Sequence, residues 1–235
     1  MPSTLYLFPV TLAESTVEQV LPEYNRQKLL HIRHFIVEDI RTARRFLKKC
    51  DPAFDIDACK FYTLNKHTTS EQIASYLFDL ESDHDMGLLS EAGCPAVADP
   101  GADIVHIAQK KGYKVVPLVG PSSIILALMS SGFNGQRFAF EGYLPVEKEE
   151  RIKAIKHLEQ RSYTEDMTQI FIETPYRNTK LLNDLTSNLR PQTQICVAFD
   201  LTGPEECIHT RSAKEWGTDH SELTKKPCIF LIYKA

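Results

Sequence analysis

Short apolar runs rich in β-branched and aromatic residues alternate along the chain with segments whose apolar positions are three or four residues apart. The first pattern is typical of buried strands, and the second of helices that pack one face on a sheet. The alternation predicts an α/β fold with mainly parallel strands. The predicted strands are Leu5–Val10, His34–Glu38, Lys60–Leu64, Gly87–Ser90, Lys114–Leu118, Arg137–Gly142, Gln169–Glu173, Gln194–Phe199, Glu206–Arg211 and Cys228–Tyr233.

Helices are predicted between these strands by spacing and by turn residues. Pro175 suits a first helical turn, Thr174 suits the N-cap before it, and Gly132 suits a helix stop. Two apolar helix faces are expected, one made of Ile73, Leu77 and Leu80 and the other of Leu181, Leu185 and Leu189.

The stretch Pro117–Gly120 separates the first five predicted strands from the last five without a flexible polar linker. We therefore expect two tightly joined domains, an N-terminal α/β domain at residues 1–117 and a C-terminal α/β domain at residues 118–235. A ligand site would suit such a junction, because pockets are common at domain interfaces.

Composition narrows the class of protein. The six cysteines show no metal-ligand spacing, so we expect reduced thiols and no metal site. No leader opens the sequence and no apolar run approaches the roughly 18 residues that span a bilayer, which predicts a cytoplasmic protein. The net charge of −4 argues against nonspecific coating of nucleic acid. A local basic cluster remains, and it consists of Arg41, Arg44, Arg45, Lys48 and Lys49.

The segment Ser90–Gly101 has the densest functional pattern, because a buried strand runs directly into a loop with two glycines and two prolines. Ligands of open α/β sheets bind beyond the carboxyl ends of strands, where glycine lets backbone approach them. Similar polar loops follow later strands, at residues 120–123 and 173–177. These loops predict a site for a polar small molecule, although a tight connection without a ligand is the alternative for any one of them.

Several common enzyme classes are excluded by spacing. The sequence has no G-x-G-x-x-G after its first strand and no G-x-x-x-x-G-K-[ST], which excludes a dinucleotide fingerprint and a P-loop. It also has no G-x-S-x-G, so Ser122 and Ser123 are poor candidates for a hydrolase nucleophile.

Taken together, the motifs resemble the ribosomal RNA small-subunit 2′-O-methyltransferase branch of the tetrapyrrole (corrin/porphyrin) methylase superfamily. The resemblance covers nearly the whole chain in order and spacing. It rests on the segments 38–41, 88–95, 99–101, 115–123, 138–145, 173–177 and 226–229.

The resemblance implies two α/β/α domains with S-adenosylmethionine in the cleft between them, and a homodimer. By motif position, the cofactor contacts would be Pro9, Leu12, Gly93, Cys94, Pro95, Val97, Ser122, Ser123, Ile124, Thr174, Pro175, Tyr176, Pro227 and Cys228. No metal is implied.

The sequence also departs from that branch. The loop after Pro9 reads Val-Thr-Leu-Ala-Glu-Ser where the branch usually has a Gly-Asn-Leu-Gly-Asp pattern, and we expect the small C-terminal extension of the branch to be absent. The methyl acceptor is therefore open. It would be a ribose 2′-hydroxyl of small-subunit ribosomal RNA or, alternatively, a tetrapyrrole or other small molecule, and a catalytically inactive S-adenosylmethionine-binding protein is a third possibility.

Methyl transfer to a hydroxyl needs alignment of donor and acceptor and a group that accepts the proton. The candidates for that group are Glu38, Asp39, Glu91, Glu141 and Tyr143, among which the sequence does not choose. The segment 38–41 suits a helix start equally well. The candidates for substrate binding are Arg41, Arg44, Arg45 and Arg177.

Overall fold

A computed structural model describes residues 3–65, 67–216, 223 and 226–235, and the chain divides into two units, residues 1–122 and 123–235. All ten predicted strands are present within two residues of their expected bounds. Each unit contains one five-stranded sheet.

The first unit is an all-parallel sheet in the order β3-β2-β4-β1-β5. Because every strand runs the same way, the loops that follow the strands all leave from one edge. Its elements are β1 (Thr4–Phe8), α1 (Val17–Val20), α2 (Glu23–Leu29), β2 (His34–Val37), α3 (Ile40–Cys50), β3 (Lys60–Thr63), α4 (Ser70–Ser75), α5 (Phe78–Glu81), β4 (Met86–Leu89), α6 (Ala102–Lys110) and β5 (Lys114–Pro117).

Apolar side chains cover both faces of this sheet. Phe8 and Phe35 belong to one buried cluster, and Leu5 and Ile36 belong to another. Neighbouring strand residues point to opposite faces, so a strand buried on both faces reads as a continuous apolar run. Gly87 of β4 lies beside the Phe35 ring, where a Cβ would be 2.8 Å from Cδ1. Full burial of such side chains contributes about 1.5–3 kcal/mol each.

The second unit has a mixed sheet in the order β6-β7-β10-β8-β9. β6 and β7 are parallel, whereas β10 runs antiparallel to both of its neighbours and β8 antiparallel to β9. The expectation of mainly parallel strands is therefore right for the first unit and wrong for the second. The elements are α7 (Ser123–Ser131), β6 (Phe138–Tyr143), α8 (Lys148–Glu165), β7 (Thr168–Glu173), the 3-10 turn Pro175–Arg177, α9 (Asn178–Asn188), β8 (Gln194–Phe199), β9 (Cys207–Ser212) and β10 (Cys228–Tyr233).

A buried ion pair joins α8 to α9 in the second unit. Nε and an Nη atom of Arg151 lie 2.8 and 2.6 Å from Oδ2 of Asp184, and Arg151 is only 2% exposed. The remaining guanidinium nitrogen donates to the carbonyl groups of Pro145 and Val146. These contacts satisfy charges that would otherwise be costly to bury.

Both predicted apolar helix faces pack inward. Leu181, Leu185 and Leu189 are buried at α9, and Leu77 and Leu80 are buried although the predicted helix is divided into α4 and α5. Thr174 occupies the expected N-cap position before Pro175, and Gly132 takes φ +80° after α7.

Candidate functional site

Three loops of the first unit pack together beyond the carboxyl edge of its sheet. The Val10 amide after β1 donates to the Gly93 carbonyl at 2.9 Å, and the Ser90 hydroxyl donates to the same oxygen at 2.7 Å. From the loop after β5, the Pro121 carbonyl oxygen lies 3.5 Å from Sγ of Cys94. The structure thus brings Gly93 and Cys94, both predicted cofactor contacts, next to the loops after β1 and β5.

Glycine is required at two places in this arrangement. Gly93 has φ +73°, and a Cβ there would lie 3.0 Å from Cδ2 of Leu12 and 3.3 Å from the Pro121 oxygen. A Cβ on Gly120 would lie 2.7 Å from Cγ of Pro9. A Cβ would be crowded at Gly93 and could not fit at Gly120 without movement, so the glycines set how closely the three loops approach each other.

The backbone of the loop between β4 and α6 is strained. Ala96 and Ala98 take φ of +65° and +60°, and Gly101 takes +132°. Left-handed conformations cost alanine free energy, and such strain concentrates at ligand sites. In this loop Val97 is half exposed and Pro95 is buried.

Burial and neighbouring negative charges raise the pKa of two carboxyl groups at this edge. Burial raises the pKa of Asp99 to about 6, and the negative charges of Glu38 and Glu91 add to the rise. Burial likewise raises the pKa of Glu38, with further contributions from Glu91 and Asp39. Glu38 and Glu91 were predicted candidates, but Asp99 was not, because its D-P-G sequence indicates a turn as readily as a buried acid.

Asp39 has a structural task that competes with its predicted catalytic one. Its Oδ1 accepts hydrogen bonds from the amides of Arg41 and Thr42 at 2.8 and 2.9 Å, which makes it the N-cap of α3. Backbone hydrogen bonding from Thr42 lowers the pKa of Asp39. The geometry therefore favours the helix-start interpretation of this residue.

A pocket of about 200 Å³ lies beside α3 in the first unit. Val10, Thr42, Arg45, Lys49, Ser90 and Glu91 are among the residues that line it. The Thr42 hydroxyl donates to Oε1 of Glu91 at 2.6 Å. This contact holds a carboxylate in the same pocket as two cations.

The basic residues of α3 have different contacts, because some are bound to the loop that follows the helix and others line the pocket. An Arg44 nitrogen pairs with Asp57 at 2.9 Å, and Nζ of Lys48 donates to the Pro52 carbonyl at 2.9 Å. Arg45 and Lys49 line the pocket instead. Arg41 is exposed at the start of the helix. Of the arginines of this helix that were predicted to bind substrate, Arg45 lines the pocket, whereas Arg44 is held against the loop that follows α3.

The predicted second-unit candidates on β6 differ in exposure. Glu141 pairs with Arg161 at 2.6 Å and is partly buried. Tyr143 ends the strand, is 59% exposed, and follows Gly142, whose φ is +66°. Of these two, Tyr143 has the more accessible polar group.

Arg177 is engaged within its own turn. Its Nε and an Nη atom lie 2.9 and 2.6 Å from Oε1 of Glu173, and Nε lies 3.1 Å from the Thr174 hydroxyl. Glu173 is buried, so the pair neutralises it. Tyr176 in the same turn is 84% exposed. These contacts give Arg177 a structural role beside the substrate role predicted for it.

The remaining predicted contacts lie at element ends. Ser122 precedes α7, Ser123 begins it, and Ile124 is buried in its first turn. Pro227 is exposed, whereas Cys228 is buried at the start of β10. Burial raises the pKa of Cys228 to about 12, and Nδ2 of Asn178 lies 3.1 Å from its sulfur. Cys228 therefore offers a ligand its backbone rather than its thiol.

The residues that the structure describes contain neither a cluster of metal ligands nor a helix suited to span a membrane. No three His, Cys, Asp or Glu side chains there are grouped as a metal ion would require. Within the same residues, no helix combines the length and apolar character needed to cross a membrane.

No family model matches the chain. It is 33% identical over 182 residues to "Ribosomal RNA small subunit methyltransferase I" of Escherichia coli O157:H7, which covers 76% of this chain and 62% of that protein. Proteins with the same name from Vibrio cholerae and Pseudomonas aeruginosa are 30% and 27% identical, over 84% and 96% of this chain and 66% and 78% of theirs.

Solved structures give the fold. The methyltransferase CobJ matches with a TM-score of 0.63 at 13% identity, covering 100% of this chain and 95% of that one. The uroporphyrin-III-C-methyltransferase from Thermus thermophilus matches with a TM-score of 0.55 at 14% identity, covering 100% and 93%.

The fold is that of the tetrapyrrole methylases, which confirms the predicted class. By sequence, the chain is a relative of the proteins named ribosomal RNA small subunit methyltransferase I, as the motifs indicated. The match spans about three fifths of several of those relatives: 62%, 60% and 61% of the proteins from Escherichia coli, Haemophilus influenzae and Pasteurella multocida.

Proposed function

We propose that this protein is an S-adenosylmethionine-dependent methyltransferase that acts on a ribose 2′-hydroxyl of small-subunit ribosomal RNA. The observation that carries the proposal is the glycine-lined loop cluster beyond the first sheet. It combines the motifs shared with the branch and a backbone in which Gly93 has a positive φ and lies close to Leu12 and Pro121. The names of the sequence relatives supply the substrate class.

The first-unit residues fit the cofactor by their chemistry. Pro9, Leu12 and Val97 supply apolar surface, and Gly93 and Cys94 supply closely approaching backbone. We propose that these residues and Pro95 contact S-adenosylmethionine. The cofactor contacts that we propose from the motifs also include Ser122, Ser123, Ile124, Thr174, Pro175, Tyr176, Pro227 and Cys228. When bound, the cofactor supplies an electrophilic methyl group on a sulfonium.

The chain itself must orient the acceptor hydroxyl and accept its proton. We assign this task to the carboxylates at the first sheet edge. The raised pKa values of Asp99 and Glu38 bring them nearer to neutral pH, where a proton acceptor works best. Glu91 is fixed in orientation by Thr42 and would contact the acceptor. Asp39 is the weaker candidate because it caps α3.

The cellular setting is also a proposal. A ribosomal substrate would place the protein in the cytoplasm. A homodimer would cover exposed apolar side chains such as Met129 and Val146 of the second unit. Sedimentation of the full chain at several concentrations would test the dimer, and a purely monomeric species would reject it.

The decisive experiment is methyl transfer. Small ribosomal subunits from a strain that lacks the gene should incorporate label from radiolabelled S-adenosylmethionine at one mapped ribose. A porphyrinogen in place of ribosomal RNA tests the tetrapyrrole alternative, because the fold is shared with a uroporphyrin-III-C-methyltransferase. Label on the porphyrinogen and none on RNA would reject the ribosomal substrate. Cofactor binding without any transfer would support an inactive binding protein.

A matched glycine pair tests the cofactor site. Gly93→Ala should weaken binding of S-adenosylhomocysteine at least about tenfold, because its Cβ would push Leu12 and the Pro121 carbonyl apart. Gly112→Ala is the control, since Gly112 also has a positive φ, +76°, but no atom within 4 Å of a Cβ. Equal binding by the two variants in calorimetry would remove the loop cluster from the cofactor site.

A further inference from the structure

The pocket beside α3 combines one carboxylate with two cations. Glu91 enters it from the loop after β4, and Arg45 and Lys49 enter it from α3, one turn apart on the same helix side. Val10 and Leu89 give it an apolar floor. Such a mixture suits a ligand that carries an anion next to hydroxyl groups.

The two cations are available to a ligand to different degrees. In the part of the chain that the structure describes, no hydrogen bond or ion pair engages the Arg45 guanidinium. Nζ of Lys49 donates to the Ser15 carbonyl oxygen at 2.5 Å, which fixes its direction and leaves two of its three protons. Their neighbours Arg44 and Lys48 are held by Asp57 and Pro52. Of the two cations of this helix that line the pocket, Arg45 is therefore the one that is more available to a ligand.

Phosphate is an anion that this pair is suited to bind. The planar guanidinium presents two parallel N–H groups that match phosphate oxygens, and an ammonium group adds a compact charge. Glu91, held by Thr42, repels a second anion but can accept a hydrogen bond from a hydroxyl. A phosphate next to a hydroxyl is the arrangement found in a ribonucleotide.

The size of the pocket argues against a macrocycle. Sites for whole drug-sized ligands have roughly 300–1,000 Å³. A pocket of about 200 Å³ accommodates one part of a larger acceptor, such as a sugar and its phosphate.

We propose that this pocket holds the acceptor nucleotide of RNA, with Arg45 and Lys49 on a backbone phosphate and Glu91 on a ribose hydroxyl. The inference rests on the proposed function, which it deepens by naming the residues that recognise the acceptor. Cofactor binding does not depend on it.

The test measures the affinity of the full chain for a short fluorescein-labelled single-stranded RNA as a function of salt. Arg45→Ala should weaken binding about tenfold, because a charge-assisted hydrogen bond is lost. It should also lower the slope of log K against log[salt] by about 0.7, the value for one phosphate contact on a single strand. Lys49→Ala should act in the same direction. Lys110→Ala, which removes an exposed cation from the last turn of α6, is the charge-matched control and should leave both quantities unchanged.

A second probe separates phosphate recognition from other contacts. An oligonucleotide of the same sequence with neutral methylphosphonate linkages should bind equally to the wild type and to Arg45→Ala. If Arg45→Ala binds the ordinary RNA as the wild type does, or loses affinity equally for both probes, the phosphate assignment is wrong.

The methyl-transfer assay distinguishes this failure from failure of the proposed function. Transfer to ribosomal RNA that is unaffected by Arg45→Ala overturns the acceptor pocket and leaves the function standing. Absence of transfer by the wild type, together with phosphate-dependent RNA binding through Arg45, overturns the function and supports the pocket.

Discussion

The second unit and the carboxyl edge of the first sheet treat their charged side chains in opposite ways. In the second unit, buried or partly buried acids are matched with arginines, as in the pairs Arg151–Asp184 and Arg177–Glu173. At the carboxyl edge of the first sheet, burial and the negative charges of Glu38 and Glu91 instead raise the pKa of Asp99 to about 6. Paired charges stabilise a scaffold, whereas unpaired ones are characteristic of a site that awaits a ligand or a proton.

Backbone strain occurs in both units. In the second unit, positive φ occurs at Asp166 and Asp200, where aspartate tolerates it well, and at Thr202, which is β-branched and does not. In the first unit, two alanines, Ala96 and Ala98, adopt it within one loop. Strain and uncompensated charge therefore coincide at one edge of the first unit, which is where the proposed chemistry requires them.

The largest expected effect would come from breaking the buried pair of the second unit. Asp184→Ala leaves the Arg151 guanidinium buried without its carboxylate, and the free energy of unfolding should fall by about 3–5 kcal/mol. Trp216, the one tryptophan of the chain, is buried in this unit and reports urea unfolding by fluorescence. Glu150→Ala, which breaks the exposed Lys153–Glu150 pair, is the control and should change stability by less than about 1 kcal/mol. Equal, small effects would mean that paired charges do not stabilise this unit.

A smaller effect is expected where the first unit is closely packed. Gly120→Ala places a Cβ against the Pro9 ring and should lower stability by about 2 kcal/mol, as overpacking does. Circular dichroism during thermal unfolding measures the change. Gly135→Ala is the matched control, because Gly135 has open space around its Cβ position and no positive φ. A neutral Gly120→Ala variant would show that the loops after β1 and β5 are free to move apart.

The smallest effect should be a pH dependence of the first unit. The pKa of Asp99 rises on folding from its ordinary value of 3.8 to about 6, so the folded state binds the proton more tightly. The stability that this group contributes is complete below about pH 4 and is lost as the pH rises through 6. Asp99→Asn should therefore become more stable than the wild type across this range, by on the order of 1 kcal/mol after allowance for solvent screening.

Asp79 provides a control of opposite sign for the pH experiment. Burial alone would raise the pKa of Asp79, but hydrogen bonds from Tyr62, His34 and Lys60 outweigh it and lower the pKa to about 2. Its contribution is present above about pH 4 and is lost as the pH falls towards 2. Asp79→Asn should be less stable than the wild type at neutral pH, with the difference shrinking in acid. Urea unfolding of both variants between pH 3 and pH 8 gives the difference in free energy of unfolding between each variant and the wild type. Differences of the same sign for the two variants would contradict this assignment.

Strand positions could be predicted from sequence, but strand direction in the second unit could not. β10 has the sequence Cys-Ile-Phe-Leu-Ile-Tyr, and α7 and α8 both contact it. A central strand that is buried on both faces reads as a continuous apolar run whether its neighbours are parallel or antiparallel. Direction depends on which strands become neighbours, and the local pattern does not contain that information.

The parts of the candidate site that could be predicted from sequence are those whose residue type allows only one structural interpretation. Gly93 and the loop around it could be predicted because glycine and proline restrict the backbone in known ways. Asp39 was ambiguous, since a helix cap and a catalytic acid use the same side chain. Asp99 could not be found, because its burial depends on contacts that fold around it from elsewhere in the unit. The different partners of Arg44 and Arg45 likewise depend on the tertiary structure.

The position of β10 at the centre of the second sheet has a consequence for biosynthesis. The first sheet has all its strands once β5 has been translated, and domains generally fold from the amino terminus during synthesis. β7 and β8, by contrast, acquire their shared neighbour only when residues 228–233 leave the ribosome. Until then their apolar edges are unpaired, and such edges attract other chains. The nascent second unit should therefore be the part of this protein that depends on chaperones.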